Sequence, residues 1–139
     1  MNVLTENLKR NQDLERMVLT EAVRCLGDGL DTPRMDDFLD QMFDLASERG
    51  HAAISLLTGG LILRVESKNL MLLDLEVPRA KTKLRMLCAR LAVRCAAWAN
   101  REFSPYGDTV EFEHPTAKRT CKVSFENTTG TQKFSIETI

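Results

Sequence analysis

Two complementary rows of charge are the residues of this chain whose types and spacing could do chemistry. Advancing 100° per residue from Arg79, the side chains of Arg79, Lys83, Arg90, Arg94 and Arg101 fall within an arc of roughly 60°. Lys81 and Arg85 point elsewhere, and no acidic residue occurs between Glu76 and Glu102. Cations at one-turn and two-turn spacing can follow a phosphate backbone. They can also meet an acidic protein surface, or form the wet edge of a buried helix whose arginine and lysine stems cover apolar neighbours. The second row is acidic. Asp36, Asp37, Asp40, Asp44 and Glu48 share one side of an earlier helical stretch. Asp36, Asp40, Asp44 and Glu48 span slightly more than three turns, close to the roughly 16 Å covered by Lys83, Arg90 and Arg94. The two rows could therefore meet across a symmetric interface between two copies of the chain, as one reading beside a phosphate backbone and a solvated edge. The acids could hold a hard cation, but a solvated helix face accounts for them more simply.

The nucleophiles and imidazoles assemble nothing comparable. The four cysteines, Cys25, Cys88, Cys95 and Cys121, form no C-x-x-C pair. Cys88 and Cys95 on one helix stand about 10 Å apart along its axis, beyond the ~7 Å that a disulfide tolerates. They read as buried free thiols in a reducing compartment. His51 follows Gly50 in a loop, and His114 closes a strand ahead of Pro115. Cys121 falls opposite Phe112, one step from His114, on an apolar face where a thiol is inert. No set of ligands has metal spacing. Gly59-Gly60 lacks the lysine of a phosphate loop, and Glu111 and Glu113 lie on a wet face where carboxylates stay ionised. No catalytic residue, metal or cofactor is expected.

The elements that must position the charge rows follow from periodicity. Leu4, Leu8, Leu14, Val18, Ala22, Cys25 and Leu26 predict a helix from Thr5 to Leu26, stopped by Gly27-Asp28-Gly29. A second helix is expected with Thr32 as its N-cap and Pro33 at its first position. It buries Met35, Phe38, Leu39, Met42, Phe43 and Ala46 and ends at Gly50. Ala53–Leu57 could extend a helix, but Thr58-Gly59-Gly60-Leu61 is a hairpin signal. It sets Leu56 opposite Leu63 and Ile54 opposite Val65. A turn at Ser67-Lys68-Asn69 then pairs Val65 with Met71 and Leu63 with Leu73, completing a three-stranded meander. Pro78 opens a long helix, Arg79 to about Phe103. Apolar residues fill most of its circumference between Leu84 and Ala99, more than one sheet can cover, so a second side is expected to be buried by either the first helices or a second subunit. The rest alternates as a second three-stranded meander. Phe112 is expected opposite Cys121 and Glu111 opposite Lys122, then Val123 opposite Phe134, Cys121 opposite Ile136 and Ser124 opposite Lys133. Asn127-Thr128-Thr129 matches a glycosylation sequon but reads as turn chemistry.

All this fits one α+β domain, two helices, a meander, a long helix and a meander, in a chain of 139 residues. Apolar residues make up 43% and charged residues 28%, so disordered and fibrous classes are excluded. Residues 1–60 carry six Lys/Arg against eleven Asp/Glu, and residues 61–139 thirteen against nine, although the whole chain is only -1. No apolar run reaches the ~18–20 residues of a membrane span. The polar N-terminus has no signal-peptide pattern, so a cytoplasmic location is expected. The order of helix, three strands, helix and strands is similar to that of small dimeric secretion chaperones. The likeness lies in architecture over the middle of the chain and in no motif, and those proteins begin with one helix and close with another. The resemblance implies a cytoplasmic homodimer that binds other proteins. The expected function is accordingly a non-catalytic interaction or adaptor domain, paired partly through the long helix, with Leu87 and Trp98 at the interface. The alternative is a nucleic-acid-binding module using the basic row. Near-neutral charge and eight aromatics, most at core positions, rank it second.

Overall fold

The computed structural model describes residues 31–57, 60–68, 70–115 and 118–139, together with Arg16, Met17, Thr20, Arg24 and Leu26. Those five residues are helical; the rest of the expected Thr5–Leu26 helix and its glycine stop lie outside the described residues.

Helix α1 runs Thr32–Arg49. Its N-cap is Asp31 rather than Thr32, a correction of one residue. The Asp31 carboxylate accepts from the Arg34 amide, which a threonine already inside the first turn cannot do. Gly50, with φ of 88°, closes the helix in the left-handed conformation that glycine adopts without cost. All six expected core residues of α1 are buried, and so is Leu45.

Strands β1 (His51–Leu56), β2 (Ile62–Ser67) and β3 (Leu70–Glu76) follow. The β1–β2 register is the expected one, Ile54 facing Val65 and Leu56 facing Leu63. The β2–β3 register is not. Leu63 faces Leu75 and Val65 faces Leu73, two residues from expectation. The turn is tighter than expected, because Lys68 takes a positive φ of 48° and lets Ser67 pair with Leu70. The turn shifts the pairing by one residue, and a bulge at Val65/Glu66 adds the second.

Helix α2 spans Ala80–Ala99. It ends four residues before Phe103 because Asn100 enters the left-handed region, φ 53°, and donates its amide to Ala96. Strands β4 (Gly107–Glu113), β5 (Thr120–Asn127) and β6 (Gln132–Thr138) complete the chain. Phe112 faces Cys121 and Glu111 faces Lys122 as expected. The β5–β6 pairing again differs by two residues: Val123 faces Ile136, Phe125 faces Phe134 and Glu126 faces Lys133. The turn closes on Asn127 and Gln132, and the Thr128 amide donates to Thr131 within it.

The two meanders are not separate. β1 pairs with β6, giving one antiparallel six-stranded sheet in the order β3-β2-β1-β6-β5-β4. Both helices pack on one face. Ile54, Leu63, Val65, Val123, Phe125, Phe134 and Ile136 point into that single core. Ser55, Arg64, Ser124, Lys133 and Ser135 alternate onto the opposite face.

Candidate functional site

Contacts between the helices advance together along both chains. Arg90 meets Asp36, Arg94 meets Asp40, and Trp98 meets Phe43. The helices therefore run in the same direction, and the acidic row of α1 lies against the basic row of α2 within one chain. Arg90 grips Asp36 through two hydrogen bonds of 2.7 and 2.8 Å. Arg94 donates to Asp40 at 2.7 Å and to the Asp36 carbonyl at 3.3 Å. The Arg90 hydrogen bonds hold the Asp36 carboxyl below its ordinary value against the opposing effect of burial, and the charge of Arg94 adds to them. Arg94 also lies over the Trp98 ring, 4.7 Å from its centroid.

The rest of the basic row is dispersed. Lys83 donates to the Leu26 carbonyl at 2.6 Å. Arg79 is the left-handed residue just before α2 and is exposed. Arg101 lies beyond the shortened helix, so the 100° step that placed it in the row no longer applies. Its guanidinium instead pairs with Asp108 at 3.2 Å and donates to the Thr109 carbonyl at 3.1 Å. Asp108 in turn accepts from the Thr109 amide at 2.8 Å. Both backbone groups of Thr109 on edge strand β4 are thus occupied by side chains, which blunts that edge against further strand pairing. Arg101, then the Thr109 and Ser104 amides, hold the Asp108 carboxyl below its usual value. Asp44 and Glu48 are exposed and make no ion pair among the described residues. Burial, then the charge of Asp40, raise the Asp44 carboxyl above its ordinary value.

At the far end of the ion-pair ladder, Phe43, Trp98, Phe112 and His114 form an aromatic box that sequence reasoning missed. Its members come from α1, α2, β4 and the residue just after β4, and only Phe112 and His114 are related by a sequence spacing. His114 sits 4.7 Å from the Phe43 ring and 4.9 Å from Trp98, centroid to centroid. Burial lowers its pKa; Asp40 and Asp44 on α1 oppose this, and Arg94 on α2 reinforces it. The folded chain therefore holds fewer protons at His114 than the unfolded chain does. Stability should fall as pH drops from the ordinary histidine value of about 6.5 toward the depressed one. An imidazolium against indole quenches its emission, so fluorescence of Trp98, the one tryptophan, should fall as pH passes through that depressed value. His114→Phe should abolish that step; an unchanged step would mean that another group is titrating.

Cys88 and Cys95 are buried, and desolvation pushes both thiols up to about 12. Cys121 is buried and raised by the same cause. Thiols in this state are poor nucleophiles. Among the described residues no group of three His, Cys, Asp or Glu side chains could hold a metal ion, and no helix is long and apolar enough to cross a membrane.

Two further surfaces stand out among the described residues. The helix-free face of the sheet carries a trough of about 670 Å³, floored by small side chains such as Ala53, Ser55, Thr109, Ser124 and Ser135 and flanked by Glu66 and Lys133. The outer side of α2 carries an apolar seam that nothing among the described residues covers. Met86 is 41% and Val93 60% exposed, and Ala89 and Ala97 are exposed between and beyond them. The apolar surplus of this helix is real, but its position differs from expectation. Leu87 is fully buried against the core, and Trp98 is half-buried, with its ring in the aromatic box. The seam is the face lying one residue before Leu87. The chain matches no family model, and no curated protein is significantly similar to it.

Proposed function

We propose that the chain is a non-catalytic protein-interaction domain that self-associates as a homodimer through the outer face of α2. The observation that supports this is the Met86–Ala89–Val93–Ala97 seam, an apolar stripe at helical spacing that nothing among the described residues covers. Nucleic-acid binding through the basic row is the weaker alternative. Arg90, Arg94 and Arg101 already hold carboxylates and Lys83 a carbonyl, so a phosphate at any of these four would have to displace an existing partner.

The test is solution mass at micromolar concentration, in low and high salt, with the absorbance ratio checked for bound nucleic acid. A dimer is expected. Because its contact is apolar and the ion pairs lie within each chain, its strength should change little with salt. Trp98 emission should likewise stay constant on dilution, since its neighbours belong to its own chain. A monomer at all concentrations would overturn self-association. Co-purifying oligonucleotide lost in high salt would favour the alternative.

A further inference from the structure

Where α1 gives way to β1 the surface holds a cleft of about 310 Å³, lined by Gly50, His51, Lys68, Glu137 and Thr138. Three segments far apart in sequence meet there: the α1–β1 junction, the β2–β3 turn and the end of β6. The turn is fastened to β1 at two points. The Ser67 hydroxyl donates to the His51 carbonyl at 2.5 Å, and the Lys68 amide donates to His51 Nδ1 at 3.1 Å. A neutral ring that accepts at Nδ1 carries its hydrogen on Nε2, which is then a donor. Lys68 takes a left-handed φ of 48°, and its side chain folds back over Gly50. A Cβ at position 50 would stand 2.9 Å from Lys68 Cε, so glycine both closes α1 and makes room for this side chain. Thr138 ties β6 to the same corner, its amide donating to the Gly50 carbonyl and its hydroxyl to the Ala46 carbonyl. Glu137 lies across from His51, with Lys122 of β5 on its other side. The Lys68 ammonium and the Glu137 carboxylate line one cleft, yet neither makes an ion pair among the described residues.

We propose that this cleft binds a small zwitterion, a molecule of amino-acid size with an ammonium and a carboxylate a few bonds apart. The ligand carboxylate accepts from the Lys68 ammonium and from His51 Nε2–H, and the ligand ammonium donates to Glu137. The mixed charge of the cleft selects this class. A simple anion that meets Lys68 and His51 also meets Glu137, and a simple cation that meets Glu137 also meets Lys68. A neutral ligand would strip water from both charges and return nothing to either. A ligand carrying both signs pairs each charge as it displaces that water. Size limits the choice further, since the cleft is at the low end of the roughly 300–1,000 Å³ of small-molecule sites. The bond from the Lys68 amide to Nδ1 sets the two donor residues side by side before the ligand arrives, which lowers the entropy lost on binding.

The test titrates glycine, β-alanine and γ-aminobutyrate, zwitterions of increasing span, into the full chain at constant ionic strength. Nuclear magnetic resonance follows the His51 ring and the Gly50 and Lys68 amides, with the ring of His114, the other histidine, as an internal control. At least one zwitterion should shift the His51 and Lys68 signals saturably and leave His114 unmoved. It should bind at least about tenfold more tightly than acetate or methylammonium. Lys68→Gly keeps the turn, because glycine enters the left-handed region without cost, and removes the ammonium. Glu137→Gln keeps the shape and removes the carboxylate charge. Each should weaken binding by about tenfold or more while circular dichroism shows the fold retained. Three results would overturn the proposal: no saturable shift with any of the three zwitterions, acetate or methylammonium binding as tightly as the best of them, or both variants binding as tightly as the unsubstituted chain. Should one variant fail to fold, the other decides together with the ranking of the five probes on the unsubstituted chain.

Discussion

Phe134→Ala is expected to destabilise the protein by about 3–5 kcal/mol, the range for emptying a buried phenylalanine site. Phe134 is 1% exposed on β6, one of the two central strands. It faces Phe125 on one neighbour and Ile54 on the other, so its ring joins the two meanders into one core. The preceding residue in the chain should behave oppositely. Lys133 points to the helix-free face, where its ammonium lies 3.6 Å from Glu126 and both side chains are about half exposed. Lys133→Ala should therefore change stability by no more than about 0.5 kcal/mol. Chemical denaturation of the two variants reads both values. Equal losses would mean that the alternation of β6 is misassigned.

This alternation was legible from residue types, whereas the registers were legible only in part. Inward residues on β2, β3, β5 and β6 recur with period two, so any slip that keeps them inward moves the pairing by two residues and leaves every face intact. Both pairings that differ from expectation, β2–β3 and β5–β6, differ by two. What decides between such registers is turn geometry and bulges, here the positive φ of Lys68 with the Val65/Glu66 bulge, and the Thr128–Thr131 turn, and none of these follows from polarity. The joining of the meanders was hidden for a related reason. His51–Leu56 and Gln132–Thr138 lie far apart in sequence, and nothing local requires them to pair. The site shows the same division. Helical periodicity identified the Asp36/Asp40 and Arg90/Arg94 rows and their matching lengths. Whether they meet within a chain or between chains depends on the direction in which α1 and α2 pack, which periodicity does not carry. The apolar surplus of α2 was legible as an amount. The side it occupies depended on where the sheet lies, and one residue, about 100° of turn, separates buried Leu87 from exposed Met86.

The ion-pair ladder offers the second large effect and a direct test of that packing direction. Arg90→Glu with Arg94→Glu removes three charge-assisted contacts and sets two new carboxylates beside Asp36 and Asp40. The side chains of Arg90 and Asp36 are 30% and 29% exposed, so solvent screens part of the interaction. A loss of about 2–3 kcal/mol is expected, combining the missing pairs with like-charge repulsion. Adding Asp36→Arg and Asp40→Arg to the same chain should recover at least half of it. Mixing one chain carrying only the glutamates with another carrying only the arginines should recover nothing, because each ladder is closed within its own chain. Rescue on mixing would place the pairs between chains. The acid limb supplies an independent reading. Asp36 titrates below its ordinary value in the folded state, so its contribution is present above the unfolded carboxylate value of about 3.9 and drains away as pH falls toward the depressed one. The glutamate variant lacks the guanidinium that causes the depression. Its stability should fall less steeply than that of the unsubstituted chain between roughly pH 4 and pH 2. Parallel acid limbs would mean that Arg90 does not hold Asp36 in solution.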